Sequence, residues 1–150
     1  KYHDEQDCAQ ILLQLYNYKG IVHSYNKDIT EAIKQFMTAV RIAKEVNMKT
    51  EVVNEYNYAL LMALKKDRLT YEPILNEAFE YGYSFSDEDL KIINLSFIAS
   101  TYLDKTYSLD SSKRDEISKR MSDLYGEDWQ LSTKELAAKL DAEYSLRNQK

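Results

Sequence analysis

The chain has 150 residues, 44% of them hydrophobic and 30% charged, enough for one domain with a continuous core. Three glycines and one proline are too few for the many turns of an all-β fold, so an all-α chain is expected. A formal net charge of −5 disfavours direct contact with nucleic acid or acidic lipid, and no apolar run reaches the ~18 residues that a membrane span needs.

From Gln6 to about Tyr25, the apolar positions Ile11, Leu12, Leu15, Tyr16, Tyr18 and Val22 recur with near-helical spacing, which predicts a first helix. Asn26-Lys27-Asp28 breaks it. Asp28 with Glu31 three residues on then offers an N-cap for a second helix, which runs to about Val46 and is expected to bury Ile29, Ala32, Ile33, Phe36, Ala39, Val40 and Ile42. Thr50 is the expected cap of a third helix through Val53, Tyr56, Asn57, Ala59, Leu60 and Ala63, ended by Lys65-Lys66-Asp67. The fourth helix carries Leu75, Ala78 and Phe79. Pro73 is expected in its first turn and Gly82 as its C-terminal cap.

Phe85-Ser86-Asp87-Glu88-Asp89-Leu90 reads as another helix start, capped by Ser86, with the helix continuing through Ile93, Phe97, Ala99 and Tyr102 to about Asp104. Thr106 to Ser112 is polar and turn-like. A helix over 112–125 follows, with Ile117, Met121 and Leu124 on one face and Gly126 as its stop. Leu131-Ser132-x-x-Glu135-Leu136 combines a capping box with a hydrophobic staple, which opens a last helix over 132–147 bearing Leu136, Ala137, Leu140 and Tyr144.

The stretch Tyr16-x-x-Lys19-Gly20-x-x-His23, followed by Glu31-Ala32, Phe36 and Ala39, resembles a tetratricopeptide (TPR) repeat. Gly20 and Ala39 would let two helices approach closely while Phe36 fills the remaining space; the alternative is a generic antiparallel pair with a glycine mid-helix. Ala59 and Ala78 repeat the nineteen-residue relation of Gly20 and Ala39, although Tyr71 stands where the first unit has Ala32. The offset from Gly20 to Ala59 is 39 residues, longer than the usual ~34. The resemblance implies one all-α domain over 1–150, a stack of antiparallel helical hairpins (a TPR-like α-solenoid) of about seven helices. Its repeat-like units are 10–47, 50–82 and 86–105, closed by helices 112–125 and 132–147.

In TPR-like domains the first helix of each pair lines the binding groove. Carried over, this makes Gln14, Asn17, Ile21, Ser24 and Tyr25 in the first unit, and Val53, Tyr56, Leu60 and Ala63 in the second, the candidate partner-binding residues. The family's carboxylate clamp for chaperone tails is not reproduced, since Ile21 occupies an asparagine position and Asn17 a lysine position.

Residues able to do chemistry are sparse. His3, Asp4, Asp7 and Cys8 gather at one helix end without the closed set of about four ligands that a structural zinc site needs, so no metal is expected. Cys8 and His23 would lie about 22 Å apart along one helix, too far to act as nucleophile and base. No phosphate loop, nucleophile elbow or paired metal-binding histidines occur, so no cofactor and no catalytic residue is expected. A single cysteine cannot form an internal disulfide, which favours a cytoplasmic setting.

Thirteen tyrosines against four phenylalanines stand out. Tyrosine joins an apolar ring to a polar tip and is favoured where a surface binds protein or peptide, although codon usage in an AT-rich genome would give the same excess. Tyr16, Tyr58 and Tyr102 are expected between helices. The expected function is a non-catalytic scaffold that binds another protein or a peptide. Two alternatives stand beside it. One is a peptide-sensing domain of a bacterial transcriptional regulator whose DNA-binding part lies outside this sequence, a reading to which Lys1, in place of an initiator methionine, leaves room. The other is an adaptor that forms a homodimer through its last two helices.

Overall fold

The computed structural model describes residues 2–130 together with Glu135, Ala138 and Ala142. Among these residues it contains no strand and the helices α1 (Tyr2–Tyr25), α2 (Ile29–Glu45), α3 (Lys49–Lys66), α4 (Arg68–Tyr83), α5 (Asp87–Ile92), α6 (Ser96–Lys105) and α7 (Ser111–Tyr125). The chain is all-α, as its low glycine and proline content predicts. Its contacts gather in two compact units, one ending at Ile74 and the other beginning at Leu75, within α4.

In the first unit α1 packs on α2, and α2 on α3. The two connections use one device. Lys27 and Asn47 sit at φ 63 and 61. Asp28 N–H then donates to the His23 carbonyl at 2.9 Å, and Met48 N–H to that of Ala43 at 2.9 Å, which satisfies carbonyls that a helix end otherwise leaves open. Asp28 also caps α2, its Oδ1 accepting from Glu31 N–H at 3.3 Å, as the sequence predicts. Thr50 does not cap α3. The cap position is two residues earlier, at Met48, because the residue that closes α2 also begins the next turn.

Gly20 decides how closely α1 approaches α2. A Cβ there would stand 2.5 Å from Cε1 of Phe36, a side chain that is itself fully buried. Gly20 therefore faces an aromatic ring. Ala39 and Ala59 are fully buried as well. Phe36 in turn stacks on Tyr58 of α3, ring centroids 5.2 Å apart and planes 21° from parallel. One small residue thus sets a chain of contacts across three helices.

Pro73 lies past the first turn of α4, not within it. Its ring removes the donor that the Leu69 carbonyl would use, at a point where Leu69 is 88% exposed.

In the second unit Gly82 is a buried helical residue and not a cap, because α4 runs on to Tyr83 and a Cβ at Gly82 would collide with Cδ1 of Leu95. Ala78, four residues before it, is buried, and Phe79 stacks almost parallel on Tyr102 at 3.8 Å. Ser86 caps α5 as predicted, accepting from Asp89 N–H at 3.2 Å. The single helix expected from there to about Asp104 is instead two. Ile93 turns extended, and Asn94 Oδ1 accepts from Ser96 N–H at 2.8 Å, an asparagine bond that competes with helical continuation.

That break is held from a distance by α7, which packs on α5 and α6. The Tyr125 hydroxyl accepts from Leu95 N–H at 3.1 Å and offers its proton to the carbonyls of Leu90 at 2.5 Å and Ile93 at 2.9 Å. Arg120 donates to the carbonyls of Tyr83 and Phe85, each at 2.6 Å, and Arg114 to those of Leu103 at 2.6 Å and Thr106. α7 itself begins one residue before the expected start, capped by Asp110, and stops at Gly126, whose φ is 94. Trp129, Gln130, Glu135, Ala138 and Ala142 are helical. The capping residue Ser132 and the apolar positions Leu136, Ala137, Leu140 and Tyr144 lie outside the described residues.

Three substitutions test these contacts. Gly20→Ala gains about 1 kcal/mol of helix propensity, yet overpacking a closed core typically costs 1–3 kcal/mol, so a net loss of roughly 1 kcal/mol in urea denaturation is expected. Phe36→Leu added to it should recover part of that loss. Tyr125→Phe leaves backbone groups at the α5–α6 junction without partners and should cost about 1–3 kcal/mol, with faster hydrogen exchange at the Leu95 amide as its local sign.

Candidate functional site

The first unit contains a cavity of ≈ 490 Å³ between α1 and α3. From α1, Gln10, Leu13, Gln14, Asn17, Tyr18 and Ile21 line it at steps of three and four residues, the spacing of one helix face. From α3 come Glu51, Asn54, Glu55 and Tyr58, spaced in the same way. Neutral amides, two carboxylates and two aromatic rings thus share a wall with a few aliphatic groups. Among the described residues, no lysine, arginine or histidine lines the cavity.

Glu55 is the chemically unusual member. Its side chain belongs to the stripe Val52, Glu55, Ala59 and Met62, a run of buried positions at i, i+3, i+7 and i+10 that is apolar except for this one carboxylate. Glu55 is only 3% exposed. Asn17 Nδ2 donates to both of its oxygens, at 2.5 and 2.9 Å, which ties α1 to α3. Burial pushes the carboxyl up to about 7, and the Asn17 hydrogen bond opposes that rise only in part. Near neutral pH this group is poised between its two forms.

The residues expected to bind a partner divide sharply. Gln14, Asn17 and Ile21 line the cavity. Ser24 is buried, its hydroxyl donating to the Ile21 carbonyl at 2.6 Å, and Tyr25 is half-buried and does not reach the cavity lining. Val53, Tyr56, Leu60 and Ala63 are core residues, exposed by 1% or less, so their side chains do not offer a binding face. The cause is register. One residue turns a helix by about 100°, and transferring the first unit's positions by the 39-residue offset selects the face of α3 that packs inward. The open face is instead the one through Glu51, Asn54 and Tyr58. In the sequence these positions form a row at helical spacing, and the signal for Glu55 is a carboxylate interrupting the apolar run Val52, Ala59 and Met62.

α1 carries a further apolar row on the side away from its core contacts: Ile11, Leu15, Tyr18 and Val22, all well exposed and spaced by four, three and four residues. Tyr18 belongs both to this row and to the cavity wall. Near the start of α1, Asp4, Glu5, Cys8 and Leu12 line a separate hollow of ≈ 630 Å³ together with Glu45 of α2, and Gln6 Nε2 donates to the Val46 carbonyl at 3.1 Å. Cys8 is exposed, and among the described residues no three histidine, cysteine or acidic side chains converge as a metal site would require. Among the described residues no helix is long and apolar enough to cross a membrane.

No family model matches the chain, and no curated protein or solved structure matches it. The cavity chemistry is therefore the basis for a functional reading.

The raised Glu55 carboxyl has a consequence for stability. Between its ordinary value of 4.5 and about 7 the folded chain holds a proton that the unfolded chain has released, so stability falls as pH rises through that window. The loss amounts to about 3 kcal/mol at most. In urea denaturation Glu55→Gln should remove this pH dependence and match or exceed the parent chain in stability at pH 8.

Proposed function

We propose that this chain is a non-catalytic module that binds a polypeptide segment in the α1/α3 groove. The observation that carries this reading is the wall composition: Gln10, Gln14, Asn17 and Asn54 present amides suited to a peptide backbone, and Tyr18 and Tyr58 present rings at low entropic cost. Such groups bind and orient; they do not by themselves move electrons or activate a nucleophile. The TPR resemblance of Gly20, Phe36 and Ala39 agrees with this use, since hairpin stacks expose the faces of their first helices to partners. The apolar row on α1 continues from Tyr18 and offers anchors next to the groove.

The test uses residues on the open wall that the fold does not depend on. Gln14, Tyr18 and Asn54 are all exposed. A polypeptide recovered by pull-down from native lysate and identified by mass spectrometry should lose about tenfold or more in affinity for the triple alanine variant, measured by calorimetry, while the variant's thermal melt stays within about 2 °C. Undiminished affinity would remove this wall from consideration.

A further inference from the structure

Glu55 lacks what a buried carboxylate ordinarily has. An ionised carboxylate accommodates about four hydrogen bonds, and Asn17 contributes a single neutral amide. A buried charge is normally paired with an opposite one, and among the described residues the cavity lining contains no cation to do so. Yet the carboxylate borders a cavity of ≈ 490 Å³, room for an extended side chain. Glu51, one turn before Glu55, adds a second negative group, and the rings of Tyr18 and Tyr58 suit the face of a guanidinium or the methylenes of a lysine.

We propose that the α1/α3 groove contains a subsite for a basic side chain, lysine or arginine, of the bound polypeptide, with Glu55 as its counter-ion and Asn17 as the residue that orients it. This rests on the groove reading above and adds the chemical class of its ligand. The ligand's cation supplies the opposite charge that the described lining does not contain. The competing state is a permanently protonated Glu55 that serves only as a hydrogen-bonding link between α1 and α3.

The two states differ in their response to pH. A cation selects the ionised carboxylate, so affinity rises with pH; with the carboxyl titrating at about 7, the ionised fraction grows about tenfold between pH 6 and pH 8. The titratable groups facing Glu55 across the cavity are Tyr18 from α1 and Glu51 and Tyr58 from α3, and α2 contributes no lining residue.

Nuclear magnetic resonance titration of the full chain tests this with blocked tripeptides, acetyl-Ala-Arg-Ala-amide and acetyl-Ala-Lys-Ala-amide, beside their neutral counterparts containing citrulline and norleucine. The charged probes should shift the Asn17 and Asn54 side-chain amides and the Glu55 carboxyl carbon. They should bind about tenfold tighter at pH 8 than at pH 6, and at pH 8 about tenfold tighter than the neutral probes, consistent with a charge-assisted contact. In Glu55→Gln both differences should vanish. Neutral probes that bind as well as charged ones, or charged probes with no pH dependence on the parent chain, would overturn the basic subsite and leave the groove intact. Groove resonances that no probe moves would overturn the subsite and the groove reading together.

Discussion

Two helical positions without side chains govern how near the helices of each unit lie. At Gly20 a methyl group would meet the ring of Phe36, and at Gly82 it would meet Leu95. Glycine inside a helix costs about 1 kcal/mol relative to alanine, so its presence needs compensation. Here the compensation is burial of a large neighbour: Phe36 and Leu95 are both almost wholly removed from water. In the first unit the effect reaches the groove, because Phe36 supports the ring of Tyr58, and Tyr58 forms part of the wall. The packing constraint and the candidate binding surface are thus one chain of contacts.

The second unit depends on a different economy. Its helices are short and interrupted, which leaves backbone groups open at the ends of α4, α5 and α6. α7 answers them with three side chains. Arg120 reaches the end of α4, Arg114 the end of α6, and Tyr125 the junction between α5 and α6. Arginine suits this role because its fork of donors can satisfy two carbonyls at once, where a lysine ammonium acts as a point charge. Arg120 also meets Asp87 at 3.0 Å and lies 4.7 Å from the Tyr83 ring centroid, so one side chain joins backbone, carboxylate and aromatic contacts.

The first unit, by contrast, leaves polar and apolar capacity unused. Ile11, Leu15, Tyr18 and Val22 gain nothing for the core, and Glu55 sits in an apolar stripe with a neutral amide for company. Neither feature is what stability alone would favour. A leucine at 55 would pack among Val52, Ala59 and Met62 without a desolvation cost. Departures of this kind are where a binding role is most naturally sought, since local consistency is otherwise well kept along the chain.

The sequence alone determined whatever depends on neighbours within a turn or two. The all-α class follows from composition and from apolar spacing, the caps Asp28 and Ser86 from a side chain three residues before its donor, and the stop at Gly126 from a glycine placed directly after the last residue of the helix. Other features needed the fold. Gly20 was readable as a close approach, but that Gly82 is one too, and not a cap, depends on where Leu95 arrives. Asn17 and Gln14 were readable as neighbours on one face of α1, which lines the cavity, but Val53, Tyr56, Leu60 and Ala63 are core because a face of α3 is chosen by rotation about its axis. The Asn17 to Glu55 bond spans 38 residues and the Arg120 bonds 35 and 37. Hydrogen bonds within a turn are written in the sequence, whereas partners so far apart are fixed only when whole helices settle against one another.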